Sequence, residues 1–194
     1  QCILDRPLDE ELRRTSEPTR LAMNCSGKHA GMLATCVINS WPIDSYLDPS
    51  HPLQLAIKAE VEQMSGESVA GVSVDGCGAP LFLFSLLGLA RAIRNLTIST
   101  DPVHQEVAQA CRDYPEMVSG PGRLSTRMMQ KIPGLFMKDG AEAVNVTSLA
   151  DGRTLAIKIS DGNARAMPAI RVTDAPSSRR IVTGPRTISG RLTV

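Results

Sequence analysis

Residues 143–160 read AVNVTSLADGRTLAIKIS, and this stretch decides which fold the sequence predicts. Two apolar runs, AVNVTSL and TLAIKIS, are joined by the four residues ADGR at 150–153. Short runs of strand-forming residues on either side of a glycine-bearing turn are typical of a β-hairpin. We therefore predict an antiparallel sheet in the later part of the sequence.

Helices are favoured upstream of this hairpin. Residues 52–66 place apolar side chains at helical spacing before a glycine, and residues 81–96 (LFLFSLLGLARAIRNL) read as the most apolar helix. Asp101 and Pro102 supply a cap and a first-turn proline for a helix to about Asp113. Because helices come first and antiparallel strands last, we predict the α+β class. The shorter predicted elements are helices at 9–14, 29–37 and 125–131 and strands at 68–76 and 135–140.

The composition excludes several classes of protein. The 194 residues carry 21 Lys and Arg against 20 Asp and Glu, and a net charge of +1 leaves no basic surface for nucleic acid or acidic lipid. No apolar run approaches the roughly 18 residues that cross a bilayer. Five cysteines without a CxxC pair indicate reduced thiols. We therefore expect a cytoplasmic protein with neither a nucleic-acid partner nor a membrane partner.

Residues 24–31, NCSGKHAG, place a thiol, a hydroxyl, an amine and an imidazole in one short stretch. If a helix begins here, its N-terminal backbone N–H groups lower the pKa of a neighbouring cysteine and attract an anion or a ligand carbonyl. Cys25 and Lys28 are one turn apart and can face one cavity. The alternative is structural: Ser26 caps the helix, Lys28 is solvated and Cys25 is a small apolar group. Both interpretations stay open on these residues alone.

Residues 75–80, DGCGAP, form a second candidate site at the end of a predicted strand. Gly76 and Gly78 free the backbone around Cys77 to approach a ligand closely, and Asp75 can orient a base or hold a substrate amine. The alternative is an ordinary turn that requires positive φ.

Lys138 forms a third candidate, at a strand end beside the tight turn of residues 139–142. Covering the stem of a lysine lowers the pKa of its amine, so that it can act as a base near neutral pH. The alternative is an exposed lysine on a surface hairpin, which is the usual place for this residue type.

Taken together, several stretches strongly resemble the asparaginase II family, the inducible, thermolabile type of rhizobia, both in their residues and in their order along the chain. The resemblance runs from about Leu21 to Pro168. It implies hydrolysis of L-asparagine to aspartate and ammonia, and a fold similar to serine β-lactamases and glutaminases, with a helical region against an antiparallel sheet. The stretches that carry it are NCSGKHAGML, HPLQ, VDGCGAP, GLAR, KDGAE and LAIKISDGNARA.

The resemblance also implies roles for the residues of the three candidate sites. Cys25, Lys28 and Cys77 match residues that bind a zinc ion near the substrate, although a lysine must lose its proton to bind a metal. The family further implies a homodimer. The predicted catalytic residues are Lys138 and Asp75, and the predicted substrate-binding residues are His29, Ser26, Gly76 and Gly78.

One part of the family pattern is missing from the sequence. The nucleophilic serine of the family lies in an S-x-x-K motif, and no serine here is followed by a lysine three positions later. We therefore expect the central and C-terminal portion of an asparaginase, with an N-terminally incomplete domain over residues 1–168, a divergent tail over 169–194, and no activity in isolation. The alternative function is a non-catalytic zinc- or amino-acid-binding domain.

A minor variant of the mechanism makes Cys25 the nucleophile and His29 its base. The directions of side chains along a helix argue against such a pair.

Overall fold

The computed structural model describes residues 19–21 and 23–164, and these residues have the predicted α+β architecture. The predicted helix at 9–14 and the predicted tail at 169–194 lie outside them. Within the described ranges, no helix is long and apolar enough to cross a membrane. The helices are α1 (Ser26–Ile38), α2 (Pro52–Ser65), α3 (Leu86–Ile98), α4 (Pro102–Asp113), α5 (Pro115–Ser119) and α6 (Leu124–Lys131). The strands are β1 (Gly71–Val74), β2 (Pro80–Leu83), β3 (Phe136–Gly140), β4 (Val144–Ser148) and β5 (Thr154–Lys158).

The described chain divides into two compact units. The first contains residues up to 61 together with 69–82, and the second contains residues 62–68 and those from 83 onward. In the first unit, Met32 and Cys36 lie four positions apart on α1, so that one face of the helix buries both beside Leu53 and Ala79. β1 pairs with β2 in a two-stranded sheet of its own.

The second unit is built on the antiparallel sheet β3-β4-β5. The predicted hairpin is confirmed, with β4 and β5 paired so that Val146 lies opposite Ala156. β3 adds to the other edge of β4, where Lys138 lies opposite Val146. The core on this sheet contains Met129, Leu135 and Met137.

The predicted helix over residues 81–96 is wrong in its first part. Residues 80–83 form strand β2, and α3 begins at Leu86. The Ser85 hydroxyl oxygen accepts a hydrogen bond from the Gly88 N–H at 2.9 Å and caps the helix there, while the Ser85 hydroxyl donates to the Glu67 carboxylate at 2.8 Å. An apolar run of this kind is ambiguous between strand and helix, and the cap sets the boundary.

Two other predicted helix starts can be compared with the structure. The Asp101 side chain accepts the Val103 N–H at 2.8 Å, which confirms the predicted cap of α4. The first helix begins at Ser26, three residues earlier than predicted, with Cys25 at the N-cap position and no side-chain cap. The structural interpretation of that stretch predicted that Ser26 caps the helix, and this prediction is wrong.

Candidate functional site

An ion pair joins the two stretches that the sequence singled out in the first unit. Lys28, in the first turn of α1, donates from Nζ to Asp75 Oδ2 at 2.7 Å. The two residues are 47 positions apart in sequence, and their side chains retain 42% and 36% of their accessible surface. The contact therefore lies at the surface of the unit, where a small molecule can reach it.

The turn that follows β1 holds the carboxylate of Asp75 in place. The Asp75 N–H donates to the Ala79 carbonyl at 2.8 Å, and the Gly78 N–H donates to the Asp75 carbonyl at 2.9 Å. Gly78 has a φ of +87°, a conformation that a side chain disfavours. The hydrogen bond from Lys28 lowers the pKa of Asp75, and its charge and the N–H groups of Gly76 and Cys77 act in the same direction. Asp75 is therefore held as a carboxylate.

The ammonium of Lys28 is stabilised by the same contacts. Burial alone would lower the pKa of Lys28, but hydrogen bonds with Asp75 and Cys77 and their charges raise it above its ordinary value. Lys28 thus remains protonated at neutral pH in this arrangement. Any role that needs its free amine requires another group or ion to displace the proton.

The two thiols lie beside this ion pair. Burial raises the pKa of Cys25, the positive charge of Lys28 opposes that shift, and a hydrogen bond with Cys77 adds to it. The sequence predicted a lowered pKa at the start of this helix, whereas the pKa of Cys25 is raised, because burial and the neighbouring Cys77 outweigh the charge of Lys28. Cys25 and Cys77 are both free and half-buried. Cys25, Lys28, Asp75 and Cys77 therefore form one cluster, which we call the thiol–lysine cluster.

His29 is fixed by a neighbouring tyrosine. Its Nδ1 lies 2.7 Å from Tyr46 Oη, and the two rings meet edge to face with centroids 5.8 Å apart. Its Nε2 is buried and has no hydrogen-bond partner among the described residues. The His29 N–H donates to the Cys25 carbonyl at 3.1 Å, as expected for residues one helical turn apart. Cys25 and His29 are therefore one helical turn apart, and no hydrogen bond joins their side chains among the described residues.

The cluster can be compared with what zinc requires. Two thiols suit zinc, and Lys28 lies beside both of them, so the set implied by the resemblance is physically together. Binding would have to remove the proton of Lys28 and those of both thiols. Among residues 19–21 and 23–164, no group of three or more His, Cys, Asp or Glu is arranged to hold a metal ion. The donor set therefore fits zinc only with Lys28 as a ligand, at the cost of its proton.

Lys138 belongs to the second unit, whereas every other predicted site residue belongs to the first. It is exposed on β3, and its Nζ donates to the carbonyl oxygen of Asp139. The cover over its side chain that the sequence suggested is not found within the described residues. Its positive charge acts on the half-buried thiol of Cys111, whose pKa is raised mainly by burial.

A polar network that the sequence did not predict lies beside Lys138. The Asp139 carboxylate accepts hydrogen bonds from Ser125 Oγ at 2.7 Å and from Asn145 Nδ2 at 2.9 Å. Asn145 in turn accepts a hydrogen bond from Thr147 at 2.9 Å. Ser125 and Asn145 are each 1% exposed. The KDG stretch drew attention to Lys138, but nothing local indicates that Ser125 would reach Asp139.

Comparison with known proteins identifies the family. The family model of L-asparaginase II matches residues 1–174 of the chain. A search of curated proteins found no significant match.

Proposed function

Because the chain belongs to the asparaginase II family, we propose that it carries the asparagine-binding part of an L-asparagine amidohydrolase, which converts asparagine to aspartate and ammonia. The observation that supports this proposal is the thiol–lysine cluster. The Lys28–Asp75 contact at 2.7 Å joins an ammonium and a carboxylate at an accessible surface. A substrate with both an α-ammonium and an α-carboxylate is complementary to such a pair.

Each predicted site residue has a role in this proposal. Asp75, ionised at neutral pH, accepts hydrogen bonds from the substrate ammonium in exchange for part of its contact with Lys28. The glycines at 76 and 78 let the backbone approach the substrate, and Ser26 and His29 line the binding side. Lys138 acts as a general base towards the hydroxyl nucleophile of the reaction. The protein is proposed to act as a homodimer in the cytoplasm.

Zinc is part of the proposal as a resident ion. Cys25, Cys77 and Lys28 would hold it, and it would supply positive charge beside the bound substrate. Since the pKa values of Cys25 and Lys28 are both raised, binding must release protons from them, and zinc affinity should rise with pH. Titrating the 194-residue chain with zinc at several pH values measures this. Cys25→Ser and Cys77→Ser should lose most of the affinity, and Cys111→Ser is the matched control. Equal affinity in all three variants would exclude this ligand set.

A second function is favoured by one specific observation. None of the serines in the 194 residues lies in an S-x-x-K motif, which the family uses for its nucleophile. A domain that binds asparagine or zinc without hydrolysis needs no such nucleophile. The two functions differ in whether bound asparagine is turned over.

The decisive experiment measures binding and ammonia release together. The 194-residue chain should bind L-asparagine weakly and release no ammonia above background. The product of the complete reading frame should release ammonia if that frame carries an S-x-x-K serine, and Lys138→Met should then remove most of the turnover while substrate binding persists. Binding without ammonia from the complete product would support the non-catalytic domain. Ammonia from the 194-residue chain that Cys25→Ala abolishes would instead establish a cysteine nucleophile.

A further inference from the structure

A groove in the second unit is lined by none of the predicted site residues. It has a volume of about 700 Å³ and runs between the end of α3 and one side of α4. This volume lies within the range of about 300–1,000 Å³ that is usual for small-molecule sites. Two charged residues of α4, Glu106 and Arg112, line the groove.

Arg112 is the unusual feature of the groove. Its Nε and Nη2 are buried and have no hydrogen-bond partner among the described residues. The nearest acid in sequence, Asp113, is occupied by Gln109, whose Nε2 donates to it at 2.7 Å. A buried guanidinium nitrogen without an acceptor is costly, so such groups are normally paired. Arg112 therefore lines the groove as a cation whose buried nitrogens have no anion among the described residues.

Glu106 provides the opposite charge on the same groove wall. It is exposed and makes no ion pair within residues 19–21 and 23–164. Six positions separate it from Arg112, which corresponds to about 9 Å along the helix axis. Long side chains can close on a small ligand from both ends over that distance. The pair thus offers a site for one carboxylate and one ammonium on a single molecule.

Two other polar groups of the groove are already bonded within the protein. Gln105 Nε2 donates to the Ser99 carbonyl at 3.1 Å, and Thr97 Oγ1 lies 2.7 Å from Ser148 Oγ. Recognition in the groove therefore depends mainly on the two charges. A large neutral ligand would find few free partners, whereas a small zwitterion would pair with both.

We propose that the groove between α3 and α4 binds a small α-amino acid, with its carboxylate on Arg112 and its ammonium near Glu106. Arg112 recognises the carboxylate because its planar donors match the two oxygens. No residue of the thiol–lysine cluster lines the groove, and the proposal does not depend on the proposed function.

The test uses glycine as a zwitterionic probe and acetate as a probe with a carboxylate only. Binding to the 194-residue chain is followed by the NMR signal of the Arg112 side-chain Nε–H, together with calorimetry. Glycine should shift that signal, and Arg112→Met should weaken glycine binding about tenfold or more, as expected for loss of a charge-assisted hydrogen-bonded pair. Glu106→Gln should weaken glycine binding severalfold but leave acetate binding unchanged. Arg127→Met, which removes an exposed arginine on α6, is the matched control.

Other results would overturn the proposal. The Arg112 signal could stay fixed at saturating glycine, or Arg112→Met and Arg127→Met could bind glycine equally well. If Arg112→Met fails to fold, Arg112→Lys replaces it, since the lysine keeps the charge but loses the planar fork, and unchanged glycine affinity in that variant also counts against the proposal. Lys28→Met should leave the glycine-induced shift of the Arg112 signal unchanged. Asparagine binding that is lost in Lys28→Met but kept in Arg112→Met therefore reports on the proposed function, not on the groove.

Discussion

Asp75 in the first unit and Asp139 in the second are both carboxylates at the end of a strand, and they are held in opposite ways. Asp75 is paired with a cation, Lys28, at a surface where both side chains keep more than a third of their exposure. Asp139 is held by neutral donors on Ser125 and Asn145, which are almost wholly buried. Exposed ion pairs add about 0–1 kcal/mol to stability, whereas an orphaned buried group costs about 1–3 kcal/mol. The comparison indicates that Asp139 stabilises the fold and that Asp75 is available for binding.

Breaking the polar network around Asp139 should have the largest effect on stability. Asn145→Ala removes the donor to Asp139 and the acceptor of Thr147, so a half-buried carboxylate and a buried hydroxyl each lose a partner. We expect the free energy of unfolding to fall by about 3 kcal/mol, measured by urea denaturation. Asn39→Ala is the control, because the Asn39 amide makes a comparable 2.9 Å hydrogen bond to the Thr35 carbonyl at an exposed helix end. If the two variants lose the same free energy of unfolding, the buried hydrogen bonds of Asn145 are worth no more than an exposed one.

Glycines in turns of the two units provide the next comparison. Gly152 and Gly78 both have positive φ, at +83° and +87°. A Cβ on Gly152 would lie 2.8 Å from the Ile98 side chain, whereas one on Gly78 would lie 3.9 Å from Leu47. Gly152→Ala should therefore cost about 2–3 kcal/mol, from backbone strain and overpacking together, and Gly78→Ala about 1 kcal/mol, from strain alone. Thermal unfolding of both variants measures which substitution costs more stability, and a larger loss of stability for Gly78→Ala would contradict the prediction.

The surface ion pair should contribute least to stability. Because both partners are more than a third exposed, Lys28→Met and Asp75→Asn should each change the free energy of unfolding by about 0.5 kcal/mol or less. The same variants should lose asparagine binding if the proposed function is right. A loss of stability as large as that of Asn145→Ala would mean that the ion pair is structural.

The pH dependence of this small contribution has a definite sign. The pKa of Asp75 is lowered in the folded state, so its contribution is present above the unfolded value of about 3.9 and is lost as pH falls through the folded pKa. The pKa of Lys28 is raised, so its contribution is present below the unfolded value of about 10.4 and is lost as pH rises through the folded pKa. The difference in stability between wild type and Asp75→Asn should therefore be constant from about pH 5 to 9 and shrink in acid. Denaturation at a series of pH values measures this difference, and a strong dependence near neutrality would contradict the assignment.

Much of the fold could be predicted because its signals are local. The hairpin of β4 and β5, the cap at Asp101 and the helix ending before Gly66 each depend on residues within a few positions of one another. The error at residues 81–85 has the same origin. An apolar run fits a strand as well as a helix. The start of the helix depends on Ser85, whose hydroxyl donates a hydrogen bond to Glu67, 18 positions away in sequence.

The candidate site could be predicted only as separate pieces. Cys25 and Lys28 were found together because they lie on one turn, and Asp75 and Cys77 because they flank a glycine. That the pieces meet was implied by resemblance to a family and by nothing in their spacing. The role of Tyr46 beside His29, and the directions in which the pKa values of Cys25 and Lys28 shift, depend on neighbours that the sequence does not identify.

The sequence by itself determined the α+β class, the family and the residue types available for chemistry, because periodicity, caps and stretches of specific wording are properties of neighbouring residues. Tertiary structure decided which of those residues meet. The Lys28–Asp75 pair, the buried partners of Asp139 and the unpaired nitrogens of Arg112 all arise from contacts, or missing contacts, between side chains. Burial and electrostatic interactions act through space, so their strength is set by distance and solvent exposure in the folded chain and not by position along it.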